Sequence, residues 1–368
     1  MDLELTDDQL ELRASINAVL AKECPPSLAR AITETGASTA ALWATFVDLG
    51  WPALTVPDRF GGIGLGAIEA AVLSEELGRT LAATPLLATV TQFIPLVIAC
   101  GDEQQQARWL GAVARGECRG SAAIAEATGS FDPSHTQATA VAAGAGWVLS
   151  GRKRFAFAAN ETDAIACTVA IDGAPRIVIV DTAAVTVTQM HAIDFTRSHC
   201  DVVLDGVIIA DDQVLSNNAP HAIADALQHA TLGVALETVG VCNSIYEITL
   251  EYVKQREQFG VPIGSFQAVK HKFADLVIAL ERARSIGYYA ALCVAEHDDR
   301  RHIAVAAAKA AAGDAQRALA KEGIQLHGGI GYTWEHDMHL YVKRAKSNEQ
   351  LFGTAAMHRA AIADLLNV

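Results

Sequence analysis

Arg256, Gln258, Phe259 and Gln267 place a fixed cation, two amides and an aromatic ring within one short stretch, R-E-Q-F-G-V-P-I-G-S-F-Q. That set suits a phosphate and the edge of a base. A guanidinium grips phosphate oxygens in pairs, and a carboxamide both donates and accepts hydrogen bonds. The elements that must position these groups are two helices. Tyr252 and Val253 close an apolar-periodic segment that starts near Leu232, and Phe266, Val269, Phe273, Leu276, Val277 and Leu280 recur at helical spacing beyond it. Gly260, Pro262 and Gly264 stop the first helix, and Ser265 is placed to cap the second. A join this short makes the helices antiparallel neighbours, so the donors gather at an elbow. The local pattern alone also admits a plain helix end with one Arg and a solvated Gln pair.

Composition narrows what such an elbow could serve. The net charge of −14 argues against nucleic acid, which needs a basic face, so any anionic ligand must be held by local donors. Seven cysteines without C-x-x-C spacing read as reduced thiols of a cytoplasmic protein, not as a zinc site. His327, His336 and His339 lack the carboxylate spacing of a metal site and read as packing or surface residues. The opening M-D-L-E-L-T-D-D-Q is acidic and polar, unlike a secretory signal. The uncharged run 81–100 carries Pro85, Gln92 and Pro95 and reads as buried helix and turn, not as a bilayer span. P-D-R-F-G-G-I-G-L-G at 57–66 has neither the Lys-Ser/Thr of a phosphate loop nor a strand before it, and reads as a structural turn.

A chain of 368 residues with 51% hydrophobic content suffices for two or three packed units at roughly 100–200 residues each. The first stretch reads as helical, with Thr6 and Gln9 forming a capping box and further helices at 68–77, 89–100 and 102–114. Short β-branched runs at 147–149, 164–171, 176–181, 185–190 and 200–209 follow, separated by turn signals, and read as an antiparallel β module. Long helical patterns return at 223–255, 265–298, 302–327 and 337–368, enough for a bundle. The class is α+β, mainly α, with expected domains 1–119, 120–216 and 217–368.

The elbow, taken with G-I-Q-L-H-G-G-I-G-Y-T-W-E-H-D-M-H-L-Y-V-K-R-A at 323–345, resembles the acyl-CoA dehydrogenase family. The resemblance covers essentially the whole chain, and Y-T-W-E-H-D-M-H-L-Y is most similar to a shorter bacterial branch acting on bulky or side-chain CoA esters. It implies an N-terminal helical domain, a middle antiparallel β-barrel domain and a C-terminal four-helix bundle. It further implies FAD-dependent 2,3-dehydrogenation of an acyl-CoA thioester: a carboxylate removes the α-proton while the β-hydrogen leaves as hydride to the flavin. By the same resemblance Arg256, Gln258, Phe259, Gln267, Gln325, Gly328 and Gly329 bind the ADP part of a neighbouring subunit's FAD. Electron-transfer flavoprotein or a similar acceptor takes the electrons.

Several positions depart from the family pattern. Its T-E-P-x-x-G-S-D loop stands here as Ala125-Glu126-Ala127-Thr128-Gly129-Ser130, leaving Glu126 and Ser130 as the substrate-side residues. Its K-x-W-I-T strand stands as Lys153-Arg154-Phe155-Ala156-Phe157, where Phe155 can stack on the flavin but Phe157 replaces a hydroxyl that would hydrogen-bond it. Thr354 matches a further cofactor contact. The family's Y-E-G-T base falls on Phe352, and the alternative base position falls on Ala230, followed by Thr231 where an Arg is usual. Glu237, about two helical turns beyond Ala230 on the same face, is the replacement the sequence offers as base. Its other role would be a buried carboxylate paired with an Arg.

The resemblance therefore implies one subunit of a hetero-oligomer, an α2β2 tetramer with a homologous catalytic subunit. The alternatives are an active homotetramer using Glu237 and a flavin-free scaffold or regulatory protein. Ala230, Gly233 and Ala235 leave room for a bulky acyl group, such as a steroid side chain.

Overall fold

The protein is represented by a computed structural model that describes residues 4–217 and 219–368. Helix α1 (Asp7–Glu23) opens on the expected capping box, with Gln9 N donating to Thr6 Oγ1 at 3.3 Å and Thr6 N to Gln9 Oε1 at 3.0 Å. Helix α2 (Pro26–Thr35) starts on proline and stops at Gly36, whose φ of 66° is left-handed. Between α3 (Ala40–Asp48) and α4 (Ala67–Arg79) lies the glycine-rich turn. A Cβ on Gly62 there would come within 1.9 Å of Val56 O, so this glycine serves chain packing. Helix α5 (Leu86–Ala88), a π-helical turn (Thr89–Phe93) and α6 (Ile94–Cys100) run on from one another, and Asp102 caps α7 (Glu103–Ala114).

The chain gathers into two compact units. One comprises Ser38–Ala70 and Ala83–Ala230; the other comprises the chain up to Ala37, Ala71–Ala82 and Thr231–Val368. The first unit holds a sheet of β1 (Gly120–Ala123), β2 (Thr139–Ala143), β3 (Gly146–Phe157), β4 (Ala164–Ile171), β5 (Ala174–Asp181), β6 (Thr186–Gln189) and β7 (His199–Ala210). Strand order is β1-β4-β2-β3-β7-β6, with β5 also on β4. Most pairs are antiparallel as expected, but β1 lies parallel to β4 and β2 touches β4 in parallel at Thr139–Ala170. Alternation identifies strands and says nothing of partners far along the chain. Leu149, Ile165, Val178, Val202 and Leu204 are fully buried between the strands, each stabilising the sheet by about 1.5–3 kcal/mol.

The second unit takes most of its mass from α8 (Pro220–Gln255) beyond Ala230, α9 (Gln267–Ala295), α10 (Arg301–His327), α11 (Met338–Gln350) and α12 (Ala355–Leu366). Gly78 and Gly240 let α4 and α8 touch backbone to backbone: a Cβ on either would lie 2.1 Å from Glu237 O or 1.9 Å from Glu75 O. Arg13 of α1 and Arg284 and Tyr288 of α9 all donate to the buried Glu75 carboxylate, tying three helices together.

Two expectations need correction. Ser265 does not cap α9: its hydroxyl donates to Pro262 O at 2.7 Å, and the N-cap is Phe266 without a side-chain bond. The pattern 337–368 is two helices, because Phe352 (φ 55°) and Gly353 (φ 97°) turn left-handed and Thr354 caps a new start. No helix among the described residues is long and apolar enough to cross a membrane.

Candidate functional site

The elbow is a miniature hairpin. Strands β8 (Glu257–Gln258) and β9 (Val261–Pro262) pair through a two-residue loop whose residues, Phe259 (φ 56°) and Gly260 (φ 78°), are both left-handed. Positive φ at both loop positions is the type I′ geometry that matches strand twist. Ile263 N closes the hairpin onto Arg256 O at 2.8 Å. The loop throws Phe259 outward to 94% exposure, where its ring meets Phe266 edge-on at 6.3 Å. Arg256, Gln258 and Gln267 are exposed, and Arg256 makes no salt bridge with the described residues. A cleft of about 470 Å³ opens beside the hairpin, lined by Leu250, Val253, Phe273 and Pro262 with Lys254 and Lys270.

The second donor segment lies against the first. Gln325 is exposed in the last turn of α10, and the helix ends at Gly328 with φ 64° and ψ −141°, a conformation open to glycine alone. A Cβ on Gly328 or Gly329 would meet nothing within 4 Å, so this backbone is open to a ligand. The two segments are held together by rings that sequence reasoning did not single out as a pair. Tyr252, four residues before Arg256, stacks on His327 with centroids 4.4 Å apart, and His336 closes on His327 at 4.6 Å. His327 Nδ1–H donates to Gly323 O at 2.7 Å, fixing the ring beneath the glycines.

The turn 350–354 is clamped from below. The buried Lys309 ammonium donates to Asn348 O, Glu349 O and Gly353 O at 3.1, 3.3 and 2.7 Å. His358 Nε2 donates to Phe352 O at 2.8 Å. Burial pushes Lys309 down to about 7, and the Glu349 charge works against that by favouring the ammonium. Thr354 Oγ1 accepts from Met357 N at 3.3 Å, so its hydroxyl is committed as a cap. Phe352 is 7% exposed and Ala230 fully buried, and neither carries an acid. Glu237 is 1% exposed, with Oε1 taking a 3.0 Å hydrogen bond from Arg344 and Oε2 a 2.9 Å one from Asn348. Beside the expectation of a base, both oxygens are engaged, in keeping with the other role the sequence offered, a buried carboxylate paired with an Arg.

In the first unit, Glu126 accepts from Gln137 N and Ala138 N at 3.0 Å and from Lys153 Nζ at 2.6 Å. Burial pushes its carboxyl up, and the Ala138 amide and Lys153 overcome that to hold it below the usual range. Ser130 Oγ bonds His135 Nδ1 at 2.9 Å and accepts from Asp132 N, so it organises its own turn. The loop and the aromatic strand are brought together: Arg154 N donates to Ala125 O at 2.8 Å, and a Cβ on Gly129 would stand 3.9 Å from the Phe155 ring. Phe155 sits at a β-bulge with φ 59° beneath Arg154, whereas Phe157 is 4% exposed under the Arg197 guanidinium at 4.4 Å. The bulge aims Phe155 out of the sheet while Phe157 packs within it.

A chain with helices before and after its sheet, and with exposed phosphate- and base-type donors, agrees with known proteins. The family models described as acyl-CoA dehydrogenase, C-terminal domain and acyl-CoA dehydrogenase, N-terminal domain match residues 221–366 and 6–117. The acyl-CoA dehydrogenase IpdE2 of Mycolicibacterium smegmatis is 31% identical over 355 residues, covering 95% of this chain and 96% of that protein. Human mitochondrial short-chain specific acyl-CoA dehydrogenase is 28% identical over 86% of this chain and 79% of its own. A chain from the crystal structure of the ChsE4-ChsE5 complex of Mycobacterium tuberculosis superposes with a TM-score of 0.91 at 26% identity, covering 100% of this chain and 99% of that one.

The chain belongs to the acyl-CoA dehydrogenase family. It is an oxidoreductase of the class that dehydrogenates acyl-CoA thioesters, with FAD as cofactor. The donor set fits the ADP part of that group: a guanidinium without a salt bridge among the described residues, exposed carboxamides, an exposed ring and open glycine backbone. When bound, FAD supplies a two-electron acceptor for a departing hydride.

Proposed function

We propose that the chain is one subunit of a hetero-oligomer, an α2β2 assembly, whose elbow completes the FAD site of a homologous catalytic subunit. One observation carries the reading: the carboxylate left near the family's base positions, Glu237, is buried in an ion pair with Arg344. Phe352 and Ala230 hold the two usual positions without an acid. The ADP-type donors Arg256, Gln258, Gln267 and Gln325, by contrast, are exposed beside the Gly328–Gly329 backbone. Phe259, Tyr332 and Trp334 are 94, 76 and 53% exposed in the same unit, which supports a covering partner. The solved relative named as a ChsE4-ChsE5 complex pairs two different proteins, which favours the same arrangement here.

In this reading Arg256 binds phosphate oxygens, the glycines admit the pyrophosphate to the backbone, and Gln267 and Gln325 orient the nucleoside. Phe155, Phe157 and Thr354 are fixed in place, and Glu126 shapes its loop through Lys153. The substrate is a bulky acyl-CoA of steroid side-chain type, consistent with Ala230, Gly233 and Ala235. The acceptor is electron-transfer flavoprotein or similar, and the setting is cytoplasmic, in keeping with seven unpaired buried cysteines.

The test is co-expression with the family member encoded beside it. We expect the pair to purify together with bound flavin that bleaches with acyl-CoA, and both properties to fall when this chain is omitted. Flavin content and bleaching unchanged by the omission would sink the proposal.

A further inference from the structure

The cleft of about 470 Å³ beside the hairpin is built from residues that the cofactor reading does not use. Arg256, Gln258, Phe259, Gln267 and Gln325, the donors for the ADP part, are all outside its lining. Its volume falls within the range of small-molecule sites, about 300–1,000 Å³, whose walls are mostly apolar with a few placed polar groups.

The apolar wall is firm. Val253 and Phe273 are 1 and 8% exposed, and Tyr246 holds the Phe273 ring edge-on at 5.4 Å between centroids. The rim is fixed where the chain leaving the hairpin passes close to α8. A Cβ on Gly264 would lie 3.0 Å from Val253 O, and Ser265 Oγ is committed to Pro262 O at 2.7 Å. The polar groups left for a ligand are two ammoniums. Lys254 at the end of α8 and Lys270 in the first turn of α9 both line the cleft, and neither makes a salt bridge among the described residues. In a chain of net charge −14, an apolar cleft whose charges are both positive is a local exception, and it selects an anion. A carboxylate offers an oxygen to each ammonium, and an alkyl chain behind it covers the wall.

We infer that this cleft binds a free medium-chain carboxylate, its alkyl chain against Val253, Pro262 and Phe273 and its carboxylate between Lys254 and Lys270. Thioester hydrolysis supplies such a ligand: water cleaves the C–S bond of an acyl-CoA and releases the acid with the CoA thiol. The inference does not rest on the hetero-oligomer, since every lining residue belongs to this chain.

The experiment titrates the purified full chain calorimetrically with hexanoate, octanoate and decanoate, and with decanol as the uncharged control. Affinity should rise about tenfold for each two methylenes added. Decanol should bind about tenfold more weakly than decanoate, and added salt should weaken decanoate alone. The double variant Lys254→Gln, Lys270→Gln should bind decanoate no better than decanol. Its melting temperature and flavin content should be unchanged, because both side chains are exposed. Decanoate binding that survives the double substitution puts the acid elsewhere, the thioester site included, and overturns the inference. Affinity independent of chain length overturns it too, since that is a surface ion contact without a cleft. Absence of decanoate binding to the full chain does the same.

Discussion

Glu237, the carboxylate about two helical turns beyond the family's alternative base position, has both oxygens engaged, Oε1 by Arg344 and Oε2 by Asn348. Arg344 is fully buried and Asn348 is fully buried beside it, so the three side chains form one satisfied cluster between α8 and α11. Removing one partner of such a pair costs about 3–5 kcal/mol, because the other is left charged and desolvated. Arg344→Met should therefore lower the melting temperature by many degrees, as read by circular dichroism. Glu237→Gln should also destabilise, while leaving the chemistry of the assembled enzyme in proportion to folded protein. A fully stable Glu237→Gln protein that no longer bleaches with acyl-CoA would restore Glu237 as the base. The sequence exposed Glu237 on the face of Ala230 and the absence of an acid at Phe352 and Ala230. It did not expose Arg344, because no periodicity links residues 107 positions apart.

At the scale of elements, the elbow was legible because its signals are local. Glycine and proline stop a helix, apolar spacing restarts one, and a short join forces neighbours. What escaped was conformation and pairing. The type I′ hairpin depends on Phe259 adopting φ 56°, which its residue type disfavours, and the helix break depends on Phe352 doing the same. Lys309 and His358 hold the second of these strained turns, and both reach it from other positions in the chain. The parallel pairing of β1 with β4 was hidden for the same reason. The elbow's own prediction is simple. Arg256 touches solvent and not the core, so Arg256→Ala should leave the melting temperature of the chain within about 1 °C. FAD retention by the assembled complex should nonetheless weaken about tenfold or more, from loss of a charge-assisted contact to phosphate. Flavin fluorescence after dilution measures this, and unchanged release would remove Arg256 from the cofactor site.

Across the whole molecule, the acid response should come from histidines before carboxylates. His327, His336, His339 and His358 are each pushed below the ordinary imidazole value, first by burial. The charges facing them add to this or oppose it. Lys309 lowers His358; Arg30 and Lys343 lower His339; Arg30 lowers His336, and Asp337 works the other way on both. Between the folded values and about 6.5 the unfolded chain binds more protons than the folded one, so stability rises with pH across that window. It is full above about pH 6.5 and is lost as the pH falls through the folded values. The depressed carboxylates Glu126, Asp163 and Glu349 contribute above about pH 4.5 and fail only below it, so the two windows are separate. Melting temperature should fall by several degrees between pH 7.5 and 5.5, with flavin released over the same range. The link is direct: His327 lies beneath the Gly328–Gly329 backbone, and His358 holds the carbonyl of Phe352. His327→Gln should flatten the slope by deleting one titrating ring while keeping a donor for Gly323 O. A melting temperature level down to about pH 4.5 would mean that the buried rings do not titrate against folding at all.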